Sequence, residues 1–299
     1  MNNSTRNFKM KKLLIATTAL VATAGMAAAD ITITGHAAAG IHSGLDDVTT
    51  TTNTTDVAAD GIYSNAGVDF TMTGATDNGI SFSASVNIDA GTEIDSGDFE
   101  FDGADGGTAG LGAVSMTGSF GTLTFDNGGI DNLYNGDFTS ADVSYSTTVG
   151  AVSLSVAHDT STAADANSMS AGYAASGMTF TLAASEAAAG TSSSLTVAYA
   201  LNDTVSVTGK TDQVAGAESV QTITASTTLN GVSVAVSSAN NSTWDVDLGY
   251  TAGGFALTYG VDETDAWTAT ATAALGGGAS FSAGVNSDDA TYAGVSFAF

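Results

Sequence analysis

Ser81-Phe82-Ser83-Ala84-Ser85-Val86-Asn87-Ile88-Asp89 is the stretch that decides the fold. Its even positions are apolar (Phe82, Ala84, Val86, Ile88) and its odd positions are polar. Successive side chains on a strand point to opposite faces, so this segment is a strand with one apolar and one polar face. The same period of two recurs on both sides of it. Gly67–Thr73 sets Val68, Phe70 and Met72 against Asp69, Thr71 and Thr73. Thr204–Lys210 sets Val205 and Val207 against Ser206, Thr208 and Lys210, and Thr243–Tyr250 sets Trp244, Val246, Leu248 and Tyr250 against Asp245 and Asp247.

These segments pair as hairpins. Short turns rich in Gly, Asn or Asp join them, such as Thr76-Asp77-Asn78-Gly79, Leu229-Asn230-Gly231 and Ala252-Gly253-Gly254. Such residues accept the positive φ that tight turns require. Longer, acidic connections alternate with the short ones: Ser43–Gly61, Ala90–Gly110, Asp126–Ala141, Asp159–Asn167 and Glu186–Ser193. Short turns on one side and longer loops on the other are typical of outer-membrane barrels. The pattern predicts an all-β, transmembrane antiparallel β-barrel whose first and last strands pair. Counting gives 18 strands, from Ile31–His42 to Ala290–Phe299, with 16 nearly as acceptable. A soluble β-sandwich or solenoid would also alternate. No fixed-length repeat of side chains is present, which counts against a solenoid. Aromatics gather near strand ends (Tyr145, Tyr199, Tyr250, Tyr259, Trp267, Phe297, Phe299), as in an interfacial girdle.

Composition agrees. The 299 residues include no proline and no cysteine, and 43% are hydrophobic. Absence of proline suits long ladders, and absence of cysteine excludes disulfides and thiolate metal sites. Four of the five basic residues (Arg6, Lys9, Lys11, Lys12) precede residue 13, and no acid precedes Asp30. Met10-Lys11-Lys12, the apolar Leu13–Ala24 and Ala27-Ala28-Ala29 have the form of a signal peptide over residues 1–29, cut before Asp30. Residues 1–9 read as an upstream extension, with Met10 an alternative start. The remainder, 30–299, carries 31 acids against one base, Lys210, a formal charge of −30. That charge repels nucleic acid and anionic surfaces and favours cationic partners.

The C-terminus, Tyr292-Ala293-Gly294-Val295-Ser296-Phe297-Ala298-Phe299, alternates to its last residue. Phe297 and Phe299 fall on the lipid face, as a strand that closes a barrel requires, because an open edge is not tolerated in lipid. A terminal Phe resembles the signal read by the barrel assembly machinery of the outer membrane.

The chain resembles the Rhodobacter-type general porins of Gram-negative bacteria. Ile31-Thr32-Ile33-Thr34-Gly35-His36-Ala37 is similar to their first strand, Val68–Ser85 to their second hairpin, and Gly118-Ser119-Phe120-Gly121-Thr122-Leu123-Thr124 to their next short turn. The resemblance implies a homotrimer and an inward-folded loop near 126–141. That loop's acids, Asp126, Asp131 and Asp137, with Asp142 at its end, would line a pore constriction. The family's opposing basic wall has no counterpart here, where Lys210 is the sole base after residue 29.

The expected function is that of an outer-membrane porin: a water-filled channel for passive diffusion of small hydrophilic solutes and ions. Barrels of 16 to 18 strands leave an aqueous lumen, and rings of acids favour cations. Asp69, Asp89, Asp245, Asp247 and Lys210 have lumen parity. Asp46, Asp47, Asp56, Asp60, Asp288 and Asp289 read as solvated loop acids. Ca²⁺ bound in the acidic stretches Asp95–Asp105 or Asp126–Asp137 is a further expectation, although neither has EF-hand spacing. No other cofactor is expected. Enzyme chemistry is not expected: His36, His42 and His158 are the only histidines, and His158 and Asp159, adjacent on a strand, point apart. The alternative is a non-conducting structural or adhesive outer-membrane barrel.

Overall fold

The computed structural model describes residues 30–47, 60–134, 141–160, 167–187 and 190–299. The predicted signal peptide and Asp137 lie outside these residues. The elements are β1 (Asp30–Ser43), β2 (Asp46–Asp47), β3 (Gly61–Ala75), β4 (Ser81–Asp95), β5 (Glu100–Gly118), β6 (Gly121–Ile130), β7 (Ala141–Val149), β8 (Val152–His158), β9 (Asn167–Ala175) and β10 (Met178–Ala187). They continue as β11 (Gly190–Ala200), β12 (Val205–Gln213), β13 (Val220–Leu229), β14 (Val232–Ala239), β15 (Trp244–Ala252), β16 (Phe255–Asp262), β17 (Trp267–Gly276), β18 (Ala279–Asn286) and β19 (Thr291–Ala298).

Apart from β2, each strand pairs with the strands before and after it, and β1 pairs with both β3 and β19. Among the described residues, β1 and β3 to β19 thus make a closed ring of 18 antiparallel strands, the larger of the two expected counts. β2 is a two-residue addition, parallel to the start of β5. The closing ladder runs from His36↔Ala298 to Ser43↔Thr291. Phe299 extends it by exchanging backbone hydrogen bonds of 2.7 and 2.9 Å with Gly35.

Exposure separates this barrel from a sandwich. The apolar row of each strand faces outward: Ile31 and Ile33 are each 62% exposed, Ile223 63% and Leu257 43%. In water each such side chain forgoes about 1.5–3 kcal/mol of burial. Against hydrocarbon the cost vanishes, so the outer wall is built for lipid. Phe82, Tyr199, Tyr250, Phe255 and Phe297 ring the end with the short turns, while Tyr259 and Trp267, 6.3 Å apart, mark the other. The Asn230-Gly231 turn has φ of 52° and 84°, the left-handed pair that suits a two-residue hairpin.

On the inner face, close approach replaces a core. The Tyr63 ring lies across Gly40 of β1 and Gly294 of β19, where a Cβ would collide with it. Tyr63 is only 4% exposed. The aromatic of β3 therefore covers the closing seam on the lumen side.

Three expectations about connections require correction, the simplest at Glu186–Ser193, where β10 runs to Ala187 and β11 begins at its partner Gly190. Ala90–Gly110 is not a loop: β4 and β5 extend through most of it, and the turn between them is confined to residues 96–99. Register shifts at Ala84/Val86, Ile88/Ala90 and Thr92/Glu93 interrupt the ladder. Bulges bend strands and shift which residues share a face, so alternation fades although pairing continues. The bent hairpin returns over its own barrel. Leu45, Phe99, Ala290 and Tyr292 form a buried cluster there, His42 stacks on Phe101 at 4.7 Å, and the Tyr292 hydroxyl donates to the Ser96 carbonyl at 3.3 Å. Likewise, the 126–141 connection begins late, because β6 runs to Ile130, which pairs with Ala141. Asp126 and Asp142 are therefore strand residues.

The cluster leads to a local prediction. Phe99→Ala removes the ring that fills it, a change that costs about 3–5 kcal/mol in a well-packed core. The hairpin tip is expected to open without the barrel melting. Limited proteolysis should then cut within residues 94–101 while the unfolding temperature stays put; a tip as resistant as the parent's would contradict this.

Candidate pore and its lining

The outer wall places the apolar rows, so the opposite rows line the interior. Those rows are mostly Ser and Thr, and cross-strand hydroxyl pairs tie them together, as in Ser83···Ser115 (2.9 Å) and Ser280···Ser296 (2.7 Å). Such pairs satisfy one another and still present lone pairs to water. One recess of about 700 Å³ on this wall is bordered by Ser206, Ser226, Ser233, Thr258 and Thr268 around Asp247.

Ladder register gathers the acids. His36, Gly67 and Asp89 stand side by side on β1, β3 and β4. With only glycine between them, the His36 ring reaches both carboxylates: Nε2 is 3.5 Å from Asp89 and Nδ1 is 3.8 Å from Asp69. Asn87 Nδ2 also donates to Asp89, at 2.6 Å. Asp69 and Asp89, assigned to one face by parity, are thus brought into one group, together with a histidine that reads from sequence as non-catalytic. Asp245 and Asp247 lie two residues apart on β15 and interact directly, and the Ser237 hydroxyl donates to Asp245.

Of the residues of the expected constriction, Asp126, Asp131 and Asp142 lie among the described residues. Asp131 is exposed. Asp142 works as a clamp: its carboxylate accepts the Gly128 N–H (3.1 Å), the Thr160 N–H (2.8 Å) and the Thr160 hydroxyl. Asp126 lies beside Gly129 on β6.

Residues 131–134 make contacts that the sequence did not announce. Asn132, 6% exposed, accepts the Tyr134 N–H at 2.8 Å. The Leu133 N–H donates to Ser168 of β9 at 3.1 Å, and the Tyr134 hydroxyl donates to Asp212 of β12. The second oxygen of Asp212 pairs with Lys210 at 2.8 Å. Inner-face serines nearby (Ser168, Ser185, Ser192, Ser194) are 5–8% exposed, dry for residues lining a lumen. Burial first, then the neighbouring Asp212, pushes the Tyr134 phenol up to about 12. The raised value means the protonated donor is favoured by the fold: its contribution is whole below pH 10 and is lost as pH rises through about 12. The lumen parity of Lys210 was legible; Asp212 and its partner Tyr134, 78 residues away, were not.

Among the described residues, no group of three His, Cys, Asp or Glu side chains could hold a metal ion. Asp95, at the edge of one expected Ca²⁺ stretch, instead accepts the N–H groups of Gly97 and Asp98 in the hairpin turn. His158 meets Asn167 at 3.1 Å.

Residues 16–299 match the Gram-negative porin family model. The chain belongs to the Gram-negative porins. No curated protein matches it. Solved structures share the fold: a triple mutant of the Rhodopseudomonas blastica porin is 16% identical with a TM-score of 0.53, and another mutant of that porin is 15% identical with a TM-score of 0.54. A further refined porin structure is 18% identical with a TM-score of 0.51. In each case 90% of this chain and 100% of the other are covered. This porin is accordingly a β-barrel channel of the bacterial outer membrane, and its lipid-facing rows and polar interior are what that setting requires.

Proposed function

We propose that this porin is a cation-selective diffusion channel for small hydrophilic solutes and ions, narrowed by the β6–β7 segment. The observation that carries this reading is a charge imbalance on the inner wall. Asp69, Asp89, Asp245 and Asp247 face the lumen, and the one Lys or Arg after residue 29, Lys210, is already paired with Asp212. No basic wall opposes the acids, so the interior is a region of negative potential that concentrates cations. Residues 1–29 act as the export signal, Phe299 as the mark read by the assembly machinery, and the mature barrels associate as homotrimers. Loop acids remain candidates for weak Ca²⁺ binding.

The test is a planar-bilayer recording of the refolded protein in a salt gradient. Discrete current steps are expected, with a reversal potential of the sign set by cation flow. An anion preference would overturn the selectivity, and an inserted barrel without steps would support the structural or adhesive alternative.

A further inference from the structure

We propose that Tyr134, Asp212 and Lys210 form a latch that holds residues 131–134 across the interior and thereby sets the bore of the channel. The inference rests on the channel reading above and adds the residues that position its narrowing.

The first argument is distance around the ring. β6 and β12 are six strands apart in a ring of 18. A side chain from the β6–β7 connection can meet the inner face of β12 only if the connection leaves its own wall and spans the interior. Tyr134 does meet it, through its hydroxyl. Ser168 of β9, three strands along, supports the crossing by accepting the Leu133 N–H at 3.1 Å.

The second argument is completeness. Lys210 and Asp212 on one strand face would ordinarily be a solvated pair of small worth. Here each oxygen of Asp212 has its own donor, the Lys210 ammonium on one and the Tyr134 hydroxyl on the other. Hydrogen bonds to a charged acceptor are the stronger kind. Asn132 turns the backbone so that Tyr134 is aimed, by accepting its N–H at 2.8 Å. The lone base is therefore part of a fastening, and the tyrosine is a positioning residue whose loss changes no charge.

Tyr134→Phe deletes one hydroxyl and keeps the net charge. Its single-channel conductance is expected to rise about twofold or more, with added open-channel noise, because the released segment no longer narrows the lumen. Heat-modifiable migration on gels should match the parent, which separates release from misfolding. Since the chain has no cysteine, the pair Tyr134→Cys with Asp212→Cys gives a second measurement. Joining the two thiols with a short bifunctional reagent is expected to restore the quiet, smaller conductance that the unjoined pair lacks. A Tyr134→Phe channel identical to a conducting parent, or a joined pair that behaves as the unjoined one, would overturn the latch. A parent barrel without current would overturn the channel reading instead.

Discussion

Replacing Asp69, Asp89, Asp245 and Asp247 together by asparagine lowers the cation-to-anion permeability ratio about tenfold or more in dilute salt. A unit charge ~8 Å from an ion's path is worth about 0.5 kcal/mol in water, and four amount to about 2 kcal/mol. At 1.4 kcal/mol per decade that exceeds a factor of about ten. The inner wall leaves these carboxylates without a permanently charged counter-ion: Asp69 and Asp89 have His36 and Asn87, and Asp245 has a serine hydroxyl and Asp247. Asparagine is nearly isosteric, so the barrel should still form. The effect should shrink in about 1 M salt, where screening shortens to ~3 Å. Reversal potentials at both salt strengths measure it. A ratio unmoved by the four changes would assign selectivity to the external loops.

The second large effect is on closure. Gly40→Val should destabilise the barrel by about 3 kcal/mol or more, whereas Gly35→Ala, five residues earlier on the same strand, should cost less than about 1 kcal/mol. A Cβ at Gly40 meets the backbone carbonyl of Ala293 on β19 as well as the Tyr63 ring. The carbonyl belongs to the closing ladder, so it cannot retreat without parting β1 from β19. A Cβ at Gly35 meets the Phe299 ring, which is on the outer face, 77% exposed and free to swing aside. Urea midpoints and the yield of heat-modifiable species report both variants. Equal midpoints would refute the idea that the seam depends on Gly40.

Much of this architecture was legible because it is local. Phe82, Val86 and Ile88 declare the face of β4 by their spacing alone, and Asn230-Gly231 declares its turn by the φ values it accepts. The final strand could be read to Phe299 for the same reason. The residues that were missed depend on register. His36 meets Asp89 because Gly67 stands between them in the ladder, and it meets Asp69 because that residue is two positions along β3 from Gly67. The β4–β5 extension was hidden by bulges that shift parity without ending the sheet. The positions of Asp126 and Tyr134 were hidden for a related reason: β6 continues five residues beyond Phe125, past a break in its ladder, so Asp126 is a strand residue and Tyr134, in the connection, bonds to Asp212.

The barrel, its polar interior and its acidity follow from the order of residues alone, since side-chain direction on a strand and net charge need no knowledge of neighbours. Which inner residues meet is a property of the folded barrel: the carboxylates around His36, the hairpin tip on Tyr292, and Tyr134 on Asp212. Those meetings depend on how turns, bulges and stagger accumulate around a closed ring, a sum over the whole chain that no single segment contains.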